Sequence, residues 1–320
     1  MSVALPREEV TLEHIRAAQA RIAGRVLRTP VIGNALLNAA CGAQLHFKCE
    51  NLQEMGAFKA RGASNALFKR SDAELRAGVV THSSGNHGAA VARAARLRGV
   101  PARVVMPHNS STAKLAAVRA YGGEITLCEP TVAAREAAAA RIVAATGALF
   151  VHPYDDPDVI AGQGTIALEL LEQVPDLDWL LCPIGGGGLA SGLAVAAKAL
   201  RPRIRVVAVE PAGADDAYRS FQSGVRSPPA SVATIADGLR GALSARTFAL
   251  IRAHVDAVVT VDEVAIVRAM RELWQHLRMV VEPSSAVAYA AILERKVDLQ
   301  GAQVGIVLTG GNVDLDALPW

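Results

Sequence analysis

Residues 79–106 read VVTHSSGNHGAAVARAARLRGVPARVVM, and residues 179–210 read WLLCPIGGGGLASGLAVAAKALRPRIRVVAVE. Each stretch opens on a short apolar run of strand length and passes through a polar or glycine-rich loop. It then continues as a small-residue segment of helical composition and closes on a second apolar run. A strand, a helix and a strand in about thirty residues form a parallel crossover unit. Outward from these two units the same alternation continues. Helices are expected at Thr11 to Ala23 (with Thr11 as N-cap), at a capping box starting at Ser71, and at Ala89 to Arg98, Thr112 to Ala120, Ala133 to Ala145, Thr165 to Gln173, Leu189 to Leu200, Ser244 to Arg252, Asp262 to Gln275 and Ser284 to Leu293. Strands are expected at Gln44 to Cys49, Val79 to His82, Ala102 to Met106, Glu124 to Cys128, Ala148 to His152, Trp179 to Cys182, Arg205 to Glu210 and Gln303 to Leu308, with a turn-rich stretch at Pro211 to Pro229. The fold class is therefore α/β, with mostly parallel twisted sheets flanked by helices.

Composition narrows the functional classes. The chain has 320 residues, 51% of them hydrophobic and 20% charged, which excludes general disorder. Its net charge is +3 with no long run of one sign, so no nucleic-acid partner is expected. The mean hydropathy of +0.26 comes from Ala, Val and Leu. The longest uncharged apolar stretch, Cys182 to Ala197, is broken by Pro183 and a glycine run, so no membrane span is expected. The N-terminus carries Glu8, Glu9 and Glu13 and no apolar signal region. Cys41, Cys49, Cys128 and Cys182 show no CxxC spacing and read as reduced thiols of a cytoplasmic protein.

Four short segments carry chemistry. In Gly56-Ala57-Phe58-Lys59-Ala60-Arg61-Gly62, a lysine among apolar neighbours would lose its proton easily and become nucleophilic, although the heptad alone reads as an ordinary surface lysine at a helix start. Ser83-Ser84-Gly85-Asn86-His87-Gly88 stands where a strand gives way to a helix, a place that suits an anion or serves simply as a cap. Gly185-Gly186-Gly187-Gly188-Leu189 stands at a second such junction, where glycines let a backbone approach a phosphate. No GxGxxG or GK[ST] pattern supports nucleotide binding. Thr309-Gly310-Gly311-Asn312 ends the last expected strand and alone is only a turn.

Taken together and in this order, the four segments resemble the fold-type II pyridoxal-phosphate enzymes, tryptophan synthase β-like in fold, of the serine/threonine dehydratase and serine racemase family. The resemblance covers nearly the whole chain. It implies two domains, a large cofactor-binding one from 1–77 and 153–320 and a small one, 78–152, closing over the substrate. It implies that Lys59 carries pyridoxal 5'-phosphate covalently and is the catalytic base. Phe58 would flank the cofactor ring, Asn86 would bond its phenolic oxygen, Gly185, Gly186, Gly187, Gly188 and Leu189 would hold its phosphate, and Thr309 would meet its ring nitrogen. Ser83, Ser84, Asn86 and His87 would surround the substrate carboxylate, with His87 equally readable as a structural helix residue. Ser84 is also where racemase-like members keep an acid/base opposite the lysine.

The same resemblance gives meaning to Glu210-Pro211-Ala212-Gly213-Ala214-Asp215-Asp216. Glu210, the Ala214 carbonyl and Asp216 match a divalent-cation site suited to Mg²⁺, Ca²⁺ or Mn²⁺, although from the residues alone the segment is an acidic surface turn. Gly-Ala-Phe-Lys is similar to the branch that includes 3-hydroxyaspartate dehydratases. Arg135 aligns with an arginine near the active site of racemase-like members and would clamp a distal carboxylate, or else lie on a helix surface. The implied reaction is the dehydration and deamination of a β-hydroxy-α-amino acid such as serine, threonine or 3-hydroxyaspartate to a 2-oxo acid and ammonia. The alternative is serine racemisation. A homodimer is expected.

Overall fold

The computed structural model describes residues 10–83, 85–230 and 232–320. Ten strands form two sheets: β1 (Val31–Ile32), β2 (Gln44–Cys49), β3 (Val79–His82), β4 (Ala102–Pro107), β5 (Gly123–Cys128), β6 (Leu149–Phe150), β7 (Trp179–Pro183), β8 (Arg205–Pro211), β9 (Ala257–Val261) and β10 (Gln303–Leu308). The larger sheet has the order β1-β2-β10-β7-β8-β9 and the smaller one β5-β4-β3-β6. Every pairing is parallel except β1 with β2, as crossover helices require.

Alternation along the strands decides which helices cover which face. Leu180 and Cys182 of β7, with Val206 and Ala208 of β8, join the core built with the helices Leu12–Ile22, Pro157–Gln173, Gly188–Leu200 and Ala245–His254. Leu181, Val207 and Val209 face the other way, into the core built with Glu263–Leu277 and Pro283–Leu293. In the smaller sheet Val79 packs on the helix Asn86–Arg98 and Val80 on the helix Val132–Thr146.

Most expected elements fall where the pattern puts them, and the differences have physical reasons. The helix expected from Thr165 begins at Pro157, with Asp156 accepting from the N–H groups of Asp158 and Val159. Its first half is rich in glycine because it is crossed closely. A Cβ on Gly162 would lie 2.6 Å from Gly62 Cα, and one on Gly192 would lie 2.7 Å from Gly164 N. The strand expected over 148–152 pairs only at Leu149–Phe150, and Pro153 follows without an N–H to continue it. The turn-rich stretch after β8 contains a helix, Asp216–Ser223, that has no side-chain cap of its own. Helix Ala35–Cys41 and strands β1 and β9 are additions to the expected set, and a helix does start at Lys59, running to Phe68. No helix among the described residues is long and apolar enough to cross a membrane.

Candidate active site

The segments that stood apart in the sequence meet at the carboxyl ends of both sheets, where open α/β sheets place their ligands. Lys59 heads the helix Lys59–Phe68, and Phe58 is its N-cap. Phe58 N donates to Thr309 O at 3.0 Å, and Ala57 bridges Gly310, so the lysine segment is zipped to the last strand's end. Asn312 then joins three segments: its Nδ2 donates to Met55 O and to Asn86 Oδ1, both at 2.9 Å.

Lys59 is half-buried along the cleft, but its amine end lies deep. Nζ donates to Pro153 O at 2.8 Å and sits 5.1 Å from the centre of the Phe58 ring. Burial without a counter-ion lowers its pKa to about 8. That environment favours the neutral amine in a lysine that looks ordinary in sequence.

The helix Asn86–Arg98 starts three residues earlier than its pattern, so Asn86 and His87 lie in its first turn. Asn86 Nδ2 donates to Glu282 Oε1 at 2.8 Å. Glu282 is fully enclosed: burial raises its pKa to about 7, Lys114 opposes the shift, and its Oε2 has no partner among the described residues. Ser83 Oγ accepts from Gly85 N. His87 is buried, with Nε2 3.3 Å from Val151 O and Nδ1 unpartnered among the described residues. Burial holds His87 well below the usual imidazole range, so it is neutral. Ser84 lies outside the described residues.

The glycine loop fits an anion. Gly187 has φ +86° and caps the helix Gly188–Leu200 without a side chain. The first intrahelical bond runs from Ser191 N to Gly187 O, which leaves the N–H groups of Gly188, Leu189 and Ala190 without helical acceptors. Packing on the other side demands glycine as well. A Cβ on Gly186 would lie 2.4 Å from the Tyr154 ring, and one on Gly185 2.8 Å from Leu239 Cα. A carbonyl-reactive lysine, a bare helix N-terminus and an amide pinned beside them thus fit an aldehyde that carries a phosphate. Thr309, buried at the end of β10, completes the set.

Three residues named from sequence lie apart from this cluster. Glu210 and Asp216 are buried at the end of β8 and the start of the following helix, and Ala214 is buried between them. Glu210 accepts from Ala217 N and Tyr218 N at 3.1 and 2.8 Å, which supplies the cap that helix lacks. Burial, with added repulsion from Asp216 and Asp215, still pushes Glu210 up to about 9, and burial raises Asp216 to about 6. No group of three or more His, Cys, Asp or Glu side chains among the described residues is arranged to hold a metal. Arg135 sits in the first turn of the helix Val132–Thr146, and its buried Nε lacks a partner among the described residues. Its charge acts to lower the pKa of His82 and of Tyr154, which stand at the carboxyl end of β3 and just beyond that of β6.

Sequence reasoning missed Glu282, Tyr154 and His152 as parts of this site, and it named Asn312 only as the end of a turn. Glu282 precedes Pro283 and carries only the signal of a helix entry. Tyr154 and His152 follow a strand's carboxyl end, which was the one available clue. His152 Nδ1 accepts from Tyr154 N and Asp155 N, and burial lowers its pKa to about 4.

Comparison with known proteins agrees with this geometry. A family model described as pyridoxal-phosphate dependent enzyme matches residues 22–310. The β-hydroxyaspartate dehydratase of Paracoccus denitrificans (strain Pd 1222) is 51% identical, over 97% of this chain and 98% of its own. The structure of maize serine racemase superposes with a TM-score of 0.95 at 47% identity, covering 97% and 95% of the two chains. That of a T.th. threonine deaminase gives 0.89 at 42% identity, covering 95% and 99%. The chain belongs to the pyridoxal-phosphate dependent enzyme family.

Proposed function

We propose that this enzyme dehydrates and deaminates β-hydroxy-α-amino acids, and that 3-hydroxyaspartate, with its second carboxylate, is the substrate it prefers. The observation that carries the preference is the buried Nε of Arg135, unpartnered among the described residues, in the first turn of a helix that begins at the carboxyl end of the smaller sheet. The name of the Paracoccus relative points the same way. Serine and threonine would be turned over by the same route.

In this reading Lys59 would hold pyridoxal phosphate through Nζ. Phe58 would flank its ring, Asn86 would meet the ring hydroxyl, Thr309 the ring nitrogen, and the N–H groups of Gly185, Gly186, Gly187, Gly188 and Leu189 would hold the phosphate. The bound cofactor supplies an electron sink that acidifies the Cα–H of the amino acid. Ser83, Ser84 and Asn86 receive the α-carboxylate. Nζ of Lys59, in surroundings whose burial favours the neutral amine, would take the Cα proton once it is free of the cofactor. The same nitrogen, now protonated, hands that proton to the β-hydroxyl, which leaves as water. The released enamine gains a proton at carbon and adds water, giving a 2-oxo acid and ammonia. We read the four-stranded sheet as a smaller domain that closes on the substrate and shuts out water. Serine racemisation is a second reading, favoured by the maize structure.

The test is Arg135→Ala. Its kcat/KM for 3-hydroxyaspartate is expected to fall by about 1.5–3 kcal/mol, ten- to a hundredfold, while serine changes much less. An unchanged ratio between the two substrates would make Arg135 structural and the enzyme a general serine/threonine dehydratase.

We further propose a divalent cation, Mg²⁺ or else Ca²⁺ or Mn²⁺, at Glu210, the Ala214 carbonyl and Asp216. Both carboxyl groups are buried and the charge of Asp216 helps to raise Glu210, a repulsion that a cation would relieve. A ligand at a hundred times its Kd stabilises the fold by about 2.7 kcal/mol. Metal-stripped enzyme is therefore expected to melt several degrees lower than enzyme in Mg²⁺, and Asp216→Ala is expected to erase the difference. Equal melting of the stripped and loaded wild type would dismiss the site.

A further inference from the structure

Strand β3 sends Val79 and Thr81 to one face and Val80 and His82 to the other. Thr81 Oγ1 donates to Val151 O, whereas Val80 packs on Ala138 and Ala139 of the helix Val132–Thr146. Arg135 precedes those two alanines by three and four residues, so it lies on the same helix face one turn earlier. The helix runs antiparallel to the strand, and Arg135 therefore comes level with His82 at the carboxyl end of the sheet.

His82 is 4% exposed. Its ring packs 5.6 Å from Phe150 and meets His152 edge-on at 5.6 Å. Neither ring nitrogen has a hydrogen-bond partner among the described residues, nor has the buried Nε of Arg135. Burial, then the charges of His152 and Arg135, lowers His82 to about 4, so it is a neutral ring with one N–H to donate. Each of these three buried polar atoms without a partner carries a desolvation cost that a ligand would remove, and the charge of Arg135 reaches His82. Among the described residues no carboxylate lies within ion-pair distance of Arg135. A fixed positive charge beside a neutral donor calls for an anion with two acceptor oxygens. Pro153, whose carbonyl accepts from Lys59 Nζ, follows His152, the ring that touches His82, so this pocket adjoins the reaction site.

We propose that His82 is a specificity-determining residue that shares the second carboxylate of the substrate with Arg135 by donating a ring N–H to it. The inference rests on the acidic-substrate reading above and assigns half of the recognition to a residue that carries no charge.

Steady-state kinetics of His82→Phe, His82→Leu and His82→Asn holoenzymes with 3-hydroxyaspartate and serine test it. Phe and Leu remove every hydrogen-bonding atom, and their kcat/KM for 3-hydroxyaspartate is expected to fall about ten- to a hundredfold, with serine within about twofold. Asn keeps an N–H donor and is expected to recover part of the loss. As a readout separate from turnover, calorimetric binding of succinate relative to butyrate is expected to weaken in the Phe and Leu variants, while butyrate binding is unchanged. If the wild type prefers serine to 3-hydroxyaspartate, the acidic-substrate reading falls and takes this inference with it. If the wild type prefers 3-hydroxyaspartate but the variants leave the substrate ratio and the succinate preference unchanged, or depress both substrates alike, only the role of His82 is overturned.

Discussion

Lys59→Ala is expected to abolish turnover of every amino-acid substrate, with kcat more than about ten-thousandfold lower, and to leave the protein without the borohydride-reducible colour of covalently held pyridoxal phosphate. Removing a positioned base alone costs about a hundred- to ten-thousandfold, and here the same nitrogen also holds the cofactor and returns the proton. The fold should survive, because Nζ makes one hydrogen bond, to Pro153 O, and faces the cleft. A pH experiment separates this from a folding defect. Burial lowers the lysine from 10.5 to about 8 in the folded, cofactor-free protein. Between those values the unfolded chain binds more protons than the folded one, so the stability contributed by this site rises with pH from about 8 to 10.5 and is lost on going back down. Cofactor-free wild type is therefore expected to gain stability relative to cofactor-free Lys59→Ala when pH is raised across that window. Retention of the colour by Lys59→Ala, or of more than a few per cent of activity, would remove the lysine from its assigned role.

The reading of that lysine shows how far sequence reaches. The strands of the smaller sheet and the helix Thr112–Ala120 were legible because each is a contiguous pattern bounded by its own turns. Of the helix headed by Lys59 only the start was legible, because what Gly62 packs against is far away in the chain. Gly62 is glycine because the backbone of the helix Pro157–Gln173 comes to meet it, with Val159 O 2.7 Å from where a Cβ would stand. The helix Asp216–Ser223 is capped by Glu210, from outside the helix, so no local rule could announce it. The site divides in the same way. Lys59, Asn86 and the glycine loop stand in recognisable segments. Glu282, His82 and Tyr154 acquire their properties from burial by residues far away in the chain. A carboxyl raised to about 7 and an imidazole lowered to about 4 are facts of tertiary structure.

Arg61→Ala is expected to destabilise the cofactor-free protein by about 3–5 kcal/mol, because it breaks a buried ionic network and leaves an uncompensated charge. Arg61 lies two residues beyond Lys59 on the same helix and is wholly buried. Its Nε and Nη2 donate to the two oxygens of Glu50, each at 2.8 Å. Its Nη1 and Nη2 donate to Glu169 at 2.7 and 2.8 Å. Lys48, also buried, donates to Glu169 at 2.6 Å and to Thr29 O at 2.8 Å. Two cations thus balance two carboxylates and tie β2, the helix of Lys59 and the helix Pro157–Gln173 together. Alanine at 61 leaves Lys48 alone against Glu50 and Glu169, in a place water does not reach. Because the network fixes the helix that presents Lys59, cofactor affinity is expected to weaken with stability. The double variant Arg61→Leu/Glu50→Leu distinguishes charge from packing. It removes one group of each sign, keeps the Lys48–Glu169 pair and restores neutrality, so it is expected to recover a large part of the loss by denaturant unfolding. A double variant no more stable than Arg61→Ala would mean that the hydrogen bonds and shape of the guanidinium, rather than charge balance, hold these three elements in place.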